Sequence, residues 1–272
     1  ILLPVTTGTV DIVRQTIRMG HPMGGLRWAG RAYDMALRLH SEHPYDVILS
    51  RCPAEVGHLP AMKFAANTGL PWVANWNDPP ATYWPPPYRH EGGPVARRLT
   101  RRYVREAVTR ATVNTFPCER LMAYTMASLG LKTGDHTTVI PHIGRSYGGP
   151  VQPRRDARFK LCHAGHLGRE RDPGTLLAAL KQFADSGHGP DRFVLEIIGD
   201  RNECRDFHQT ASHLGLADYI AFTGPLPFED CVKHMADSDA LLVLEAPYPE
   251  GIILLCKVVE CVQVARPILA VS

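Results

Sequence analysis

The sequence predicts an α/β protein of two doubly wound parallel-sheet units in tandem, facing each other across a cleft. Three observations point there. Short β-rich runs alternate with segments of helical period in both halves of the chain. Those runs are apolar almost throughout, as strands covered on both faces must be. The chain has 272 residues, 44% of them hydrophobic, more than one ordinary core holds, so two domains of roughly 130 residues each are expected.

In order, "LRWAGRAYDMALRLHSEH" has apolar residues at helical spacing and "YDVILSR" is a short strand. "EVGHLPAMKFAANTG" reads as a helix stopped by Gly69, and "LPWVANW" as a buried strand. "ATVNTF" is the next strand, "CERLMAYTMASLG" a helix ending on Gly130, and "TTVIPHI" a further strand. "GRSYGGPVQPRRDAR" is rich in Gly, Pro and Arg without apolar period, and marks a linker at 147–157 between domains at 1–146 and 158–272. The alternation then resumes with "FKLCHAG", "DPGTLLAALKQFADSG", "FVLEIIGD", "CRDFHQTASHLGL", "YIAFTG", "PFEDCVKHMADS" and "DALLVLEA". "KVVECVQVARPILAVS" closes the chain as a helix running into a buried strand. The first unit shows no opening strand with a glycine turn, and the second stops without a closing helix, so both ends read as incomplete.

Composition narrows the function. The net charge of +3 is too small for a dedicated nucleic-acid binder. No apolar run approaches the roughly 20 residues that span a bilayer, and "ILLPVTTGTVDIV" lacks the basic start and cleavage site of a secretory leader. The seven cysteines stand singly, which favours reduced thiols in a cytoplasm. The 13 histidines are dispersed with no metal-ligand spacing, so neither a metal nor a bound cofactor is expected.

Four stretches carry candidate chemistry. In "LCHAGHLGRERDPGTLLAAL" a strand ends at Gly165, Arg169 and Arg171 follow in a polar loop, and Asp172-Pro173 opens a helix. Free helix N–H groups and forked guanidinium donors make a diphosphate cradle; the same loop would also serve as a solvated turn. In "EAPYPEGIILLCKVVECVQVARPILA", Lys257 and Glu260 share a helix face with apolar flanks. That makes them either a surface ion pair or, with Glu260 partly buried, a carboxylate for a ribose diol and an ammonium for a phosphate or hydroxyl. "NWNDPP" places Asn77 and Asp78 at a strand end, where Asp78 either accepts a proton or hydrogen bond from a ligand or caps a turn with Pro79. His58 in "EVGHLPAMKF" begins a helix, a position where a histidine is more often structural. Finally, "YRHEGGPVARRLTRRYVREAVTRA" repeats arginine at helical spacing, with Arg97, Arg98, Arg101 and Arg102 leading. A basic helix with Leu99, Tyr103 and Val104 suits an anionic membrane surface or a lipid-phosphate acceptor, or is a solvated face.

The second half resembles the donor-binding domain of the family 4 retaining glycosyltransferases, which have the GT-B fold of two Rossmann-like domains. The resemblance rests on "HAGHLGRERDPGTLLAAL", "VLEIIGD", "IAFTGPLPFEDCVKHMADSDALLVL" and "KVVECVQVARPILA", which follow in the family's order. "GLPWVANWNDP" and "VREAVTRATVNTFPCERLMAYTMASLGL" fit the acceptor-side domain more weakly. The resemblance implies a metal-independent enzyme moving a sugar from a nucleotide-diphosphate donor to a sugar or lipid-linked acceptor, cytoplasmic or peripheral at the inner membrane face. It implies that Gly165 follows the first donor-domain strand, that Arg171 touches the diphosphate, and that His166 stands where many members have arginine. Glu260 matches the second glutamate of the family's pair, the one holding the ribose. The first would fall at Ile252, which cannot serve; Glu250-Gly251 offers the pair two positions earlier. Asp78 and Arg171 are therefore the expected catalytic residues. A sugar-nucleotide epimerase of the same fold and a non-catalytic two-lobed binding protein are the alternatives; a dehydrogenase is disfavoured because no GxGxxG is present.

Overall fold

A computed structural model describes residues 9–52, 55–80, 83–85, 93–134, 136–144, 158–165, 167, 174–200, 205–245 and 251–271. The chain divides into two compact units, Ile1–Pro141 with Glu250–Ile253, and His142–Pro249 with Leu254–Ser272. The expected linker at 147–157 lies outside the described residues.

The first unit opens with helices α1 (Thr9–Met19) and α2 (Leu26–Glu42), then β1 (Ile48–Arg51), α3 (His58–Thr68), β2 (Trp72–Asn75), α4 (Pro94–Arg110), β3 (Val113–Phe116), α5 (Glu119–Leu129) and β4 (Thr137–Val139). Its strands are parallel and lie in the order β1-β2-β3-β4. Gly69 and Gly130 end α3 and α5 in the left-handed region, at φ 73° and 67°, as the sequence predicts. Trp72, Trp76, Tyr103, Phe116, Leu59 and Leu121 form the centre of the core. Helix α1 lies outside the elements expected from the sequence.

The second unit runs β5 (Phe159–Ala164), α6 (Gly174–Asp185), β6 (Phe193–Ile198), α7 (Arg205–His213), β7 (Ile220–Phe222), α8 (Phe228–Ala236), β8 (Ala240–Leu244), α9 (Cys256–Val264) and β9 (Ile268–Val271). All strands are parallel in the order β7-β6-β5-β8-β9, so the winding reverses at β5. Alternate residues of one strand feed opposite faces. Leu161, Leu195, Ile197, Leu242 and Leu244 pack with Leu177 and Leu180 of α6 and Phe207 of α7. Cys162, Ile198, Leu241 and Val243 pack with Val232 and Met235 of α8 and Cys261 and Val264 of α9. A strand buried on both sides has no polar phase, which is why these runs read as continuous apolar stretches.

Two details differ from expectation. The closing strand, expected to be buried, is the exposed edge β9, with Leu269 49% exposed. Strand β6 carries a buried carboxylate on the α8 side: Glu196 accepts from Lys160 Nζ at 2.6 Å, the Thr223 hydroxyl at 2.8 Å and His234 Nδ1 at 3.0 Å. Burial pushes this carboxyl up, but those three donors outweigh it and hold it below its ordinary value.

Candidate functional site

The polar groups of each unit gather where parallel strands end. In the first unit, β1 and β2 run out together at Cys52 and Trp76–Asp78. The Cys52 amide donates to the Asn75 carbonyl at 3.0 Å, and Asn77 Nδ2 returns to the Cys52 carbonyl at 3.2 Å. Trp76 anchors the turn from below, its amide on the Thr115 carbonyl at 2.8 Å and its Nε1 on Asn114 Oδ1 at 2.9 Å. Asp78 is half-buried at this edge. Burial pushes the Cys52 thiol up, and the carboxylates of Glu55 and Asp78 push it further. Two carboxylates therefore flank one buried thiol at the strand ends. Glu55 was missed in the sequence, where it reads as an ordinary helix-start acid.

Directly beneath lies His58, the first residue of α3, with no exposed surface. Ser50 Oγ is 2.7 Å from His58 Nδ1 and receives Trp72 Nε1–H at 2.7 Å. The other ring nitrogen, His58 Nε2, is a buried atom with no hydrogen-bond partner among the described residues. The Trp76 ring packs on the imidazole at 4.2 Å. Burial lowers the His58 pKa to about 4. His58 is thus a neutral core residue supporting the Trp76 turn, the structural role the sequence favours.

In the second unit Gly165 ends β5 at the reversal of strand order, at φ +134°. Its amide bonds to the Ile198 carbonyl at 2.8 Å, and its own carbonyl lies 2.6 Å from where a Cβ on Gly199 would stand. A Cβ on Gly165 would fall 3.3 Å from Lys257 Cε and closer still to Nζ. The glycine leaves room for an ammonium, and Gly165 and Lys257 are brought together. Glu260, on the same helix, is half-buried. Beside it the Cys231 thiol is pushed up by burial first and then by the Glu260 and Glu196 carboxylates, while Lys257 lowers it. Four other expected site residues, His166, Arg169, Arg171 and Glu250, lie outside the described residues. Gly251 groups with the first unit, where a Cβ on it would stand 2.7 Å from Arg120 Nη1, and where the Ile252 carbonyl accepts from Cys118 Sγ at 3.4 Å.

The arginine helix α4 presents three stripes. Tyr103, Val104, Ala107 and Val108 are buried. Arg101 and Arg105 lie along the end of α5, with Arg105 Nη1 on the Leu129 carbonyl, a cation at a helix carboxyl terminus. Arg102 follows the opposite stripe with Glu106 and Arg110, while Arg97 and Arg98 are exposed. No described helix is long and apolar enough to cross a membrane, and no group of three His, Cys, Asp or Glu among the described residues could hold a metal ion.

No family model and no curated protein matches the sequence. Solved structures do. HepE of Anabaena in complex with UDP superposes with a TM-score of 0.59 at 18% identity, over 86% of this chain and 62% of that one. The fold is that of the GT-B glycosyltransferases. The lipopolysaccharide outer core galactosyltransferase WaaB shares it at a TM-score of 0.59 and 15% identity, over 89% of this chain and 60% of its own. A glycosyltransferase from Rickettsia africae does so at 0.61 and 10% identity, over 99% of this chain and 64% of its own. The chain thus spans about three fifths of the length of these GT-B proteins.

Proposed function

We propose that this chain belongs to a glycosyltransferase that moves a sugar from a nucleotide-diphosphate donor to an acceptor hydroxyl with retained configuration. The observation that carries the reading is the glycine junction at the switch point of the second sheet. There Gly165 is open on one side to the Lys257 ammonium, at the strand ends where such sheets bind nucleotides. HepE, of the same fold, has been solved with UDP, with UDP-glucose and with UDP and glucose.

In this reading the second unit holds the donor. Lys257 and the loop residues His166, Arg169 and Arg171 neutralise the diphosphate as it leaves, and Glu260 accepts the two ribose hydroxyls. With Gly251, Glu250 supplies the sugar contact left vacant by Ile252. Asp78, on its strand end in the first unit, orients and deprotonates the acceptor hydroxyl. Cationic side chains supply the charge compensation, so the reaction as proposed uses no metal and no resident cofactor. Arg97 and Arg98, exposed on α4, give a lipid-linked acceptor or an anionic membrane surface a cationic partner at the inner face.

The test is calorimetry with UDP-glucose and related nucleotide sugars, followed by product analysis with a sugar acceptor. A donor at a hundred times its dissociation constant should add about 2.7 kcal/mol of stability. Arg171→Ala should abolish turnover while the protein stays folded, and the anomeric proton signal of the product should match that of the donor. Unchanged turnover in Arg171→Ala refutes the diphosphate role. Isomerised sugar from donor alone replaces transfer with epimerisation.

A further inference from the structure

The first unit contains a cavity of about 460 Å³ that the glycosyl-transfer reading does not use. It is bounded by the end of α1, by α2 and α3, and by the Arg102–Glu106–Arg110 stripe of α4. Arg110 is the last residue of α4, just before β3 begins, so the cavity lies toward the amino-terminal edge of the sheet. The strand ends that carry Asp78 are at the opposite edge. Its size is that of a small-molecule site.

Its charges are unbalanced. Glu106 forms an ion pair with Arg110 at 3.0 Å and lies 3.3 Å from His21 Nε2. Lys63 Nζ rests on the Arg18 main-chain carbonyl, which is a neutral partner. Arg102 is exposed and has no ion pair among the described residues. Among the described residues, two cations that line the cavity, Lys63 and Arg102, have no ion pair of their own. His21, 7% exposed, cannot supply more, because burial first and the surrounding cations after it lower its pKa against the pull of Glu106. The floor is apolar and polarisable: Met19 and Met62 are 1% and 3% exposed, with Tyr33 on the wall.

We propose that this cavity binds a small phosphate monoester, its phosphate between Lys63 and Arg102 and its organic body on Met19, Met62 and Tyr33. A phosphate monoester carries close to two negative charges at neutral pH, which matches the two unpaired cations. Arginine holds phosphate oxygens through a planar fork and lysine through a point charge. The site and the donor site are independent: a chain that binds no nucleotide sugar can still bind here.

Phenyl phosphate is the soluble probe, inorganic phosphate its fragment, and phosphatidylcholine vesicles carrying phosphatidic acid the lipid-borne form of the same group. Titration calorimetry on the full chain should show one phenyl phosphate site, with inorganic phosphate weaker for want of the apolar body. Lys63→Gln and Arg102→Gln should each weaken phenyl phosphate about tenfold or more, the loss of one charged hydrogen bond. Tryptophan emission verifies that both variants remain folded. Vesicle binding lost in the same variants assigns the phosphate to a lipid headgroup; phenyl phosphate binding without vesicle binding assigns it to a soluble ester. Equal affinity in wild type and both variants, or no binding of either probe form, overturns the proposal.

Discussion

His58 gives the first unit a measurable acid sensitivity. In the unfolded chain its imidazole titrates near 6.5, while in the folded chain burial lowers that value to about 4. Between those values the unfolded chain binds a proton that the folded chain refuses. Stability therefore falls as pH drops, starting near 6.5 and levelling off near 4. Each pH unit of that interval costs about 1.4 kcal/mol, so the full loss is about 3 kcal/mol. With no exposed surface, His58 needs no discount for solvent screening. The perturbation is His58→Gln, which keeps a polar partner for the Ser50 hydroxyl but cannot titrate. All four tryptophans, Trp28, Trp72, Trp76 and Trp84, are in the first unit, so their emission during urea unfolding reports that unit alone. The difference in unfolding free energy between wild type and variant should shrink by about 3 kcal/mol from pH 7 to pH 4. Subtraction cancels the carboxylates that titrate in both proteins. A difference that stays flat across the interval refutes the buried neutral imidazole.

Three further outcomes are expected. Gly199→Ala puts a Cβ 2.6 Å from the Gly165 carbonyl and should destabilise the second unit by about 1–3 kcal/mol, read by circular dichroism melting; an unchanged melt contradicts the tight glycine junction. Lys160→Met strips the buried Glu196 of its ammonium and should cost roughly 3–5 kcal/mol at pH 7. Because Glu196 titrates below its ordinary value, its stabilising contribution is present above pH 4.5 and is lost as pH falls through the folded value, so the wild-type advantage should narrow in acid; a constant gap would argue against the ion pair. Arg97→Gln with Arg98→Gln should reduce co-sedimentation with anionic vesicles, since each basic residue near such a surface contributes about 1 kcal/mol; equal sedimentation removes α4 from the membrane.

The alternation of apolar runs with helical periods was enough to locate the strands of both sheets, because strands covered on two faces leave a strong local signature. Gly165 and Asp78 were readable for the same reason: each follows an apolar run that must end at a sheet edge. What stayed hidden is long-range. Lys257 meets Gly165 only after α9 docks, and nothing near either residue encodes that contact. The arginine period of α4 was visible, but not that Arg101 turns toward the end of α5 while Arg102 turns to a cavity. His58 shows the limit plainly, since a lone histidine at a helix start looks the same in sequence whether buried or catalytic.

The ion set around Glu196 also bears on how the second unit finds its strand pairing. Neighbouring residues of β6 point to opposite sides, so a slip of one position would carry this carboxylate away from Lys160 and toward Leu177, Leu180 and Phe207. A lone charge among those side chains costs several kcal/mol. The misaligned sheet is thus rejected by electrostatics, where leucine, isoleucine and valine on both sides would have tolerated it. In a parallel sheet assembled from distant segments, this safeguard matters most while the chain is still searching.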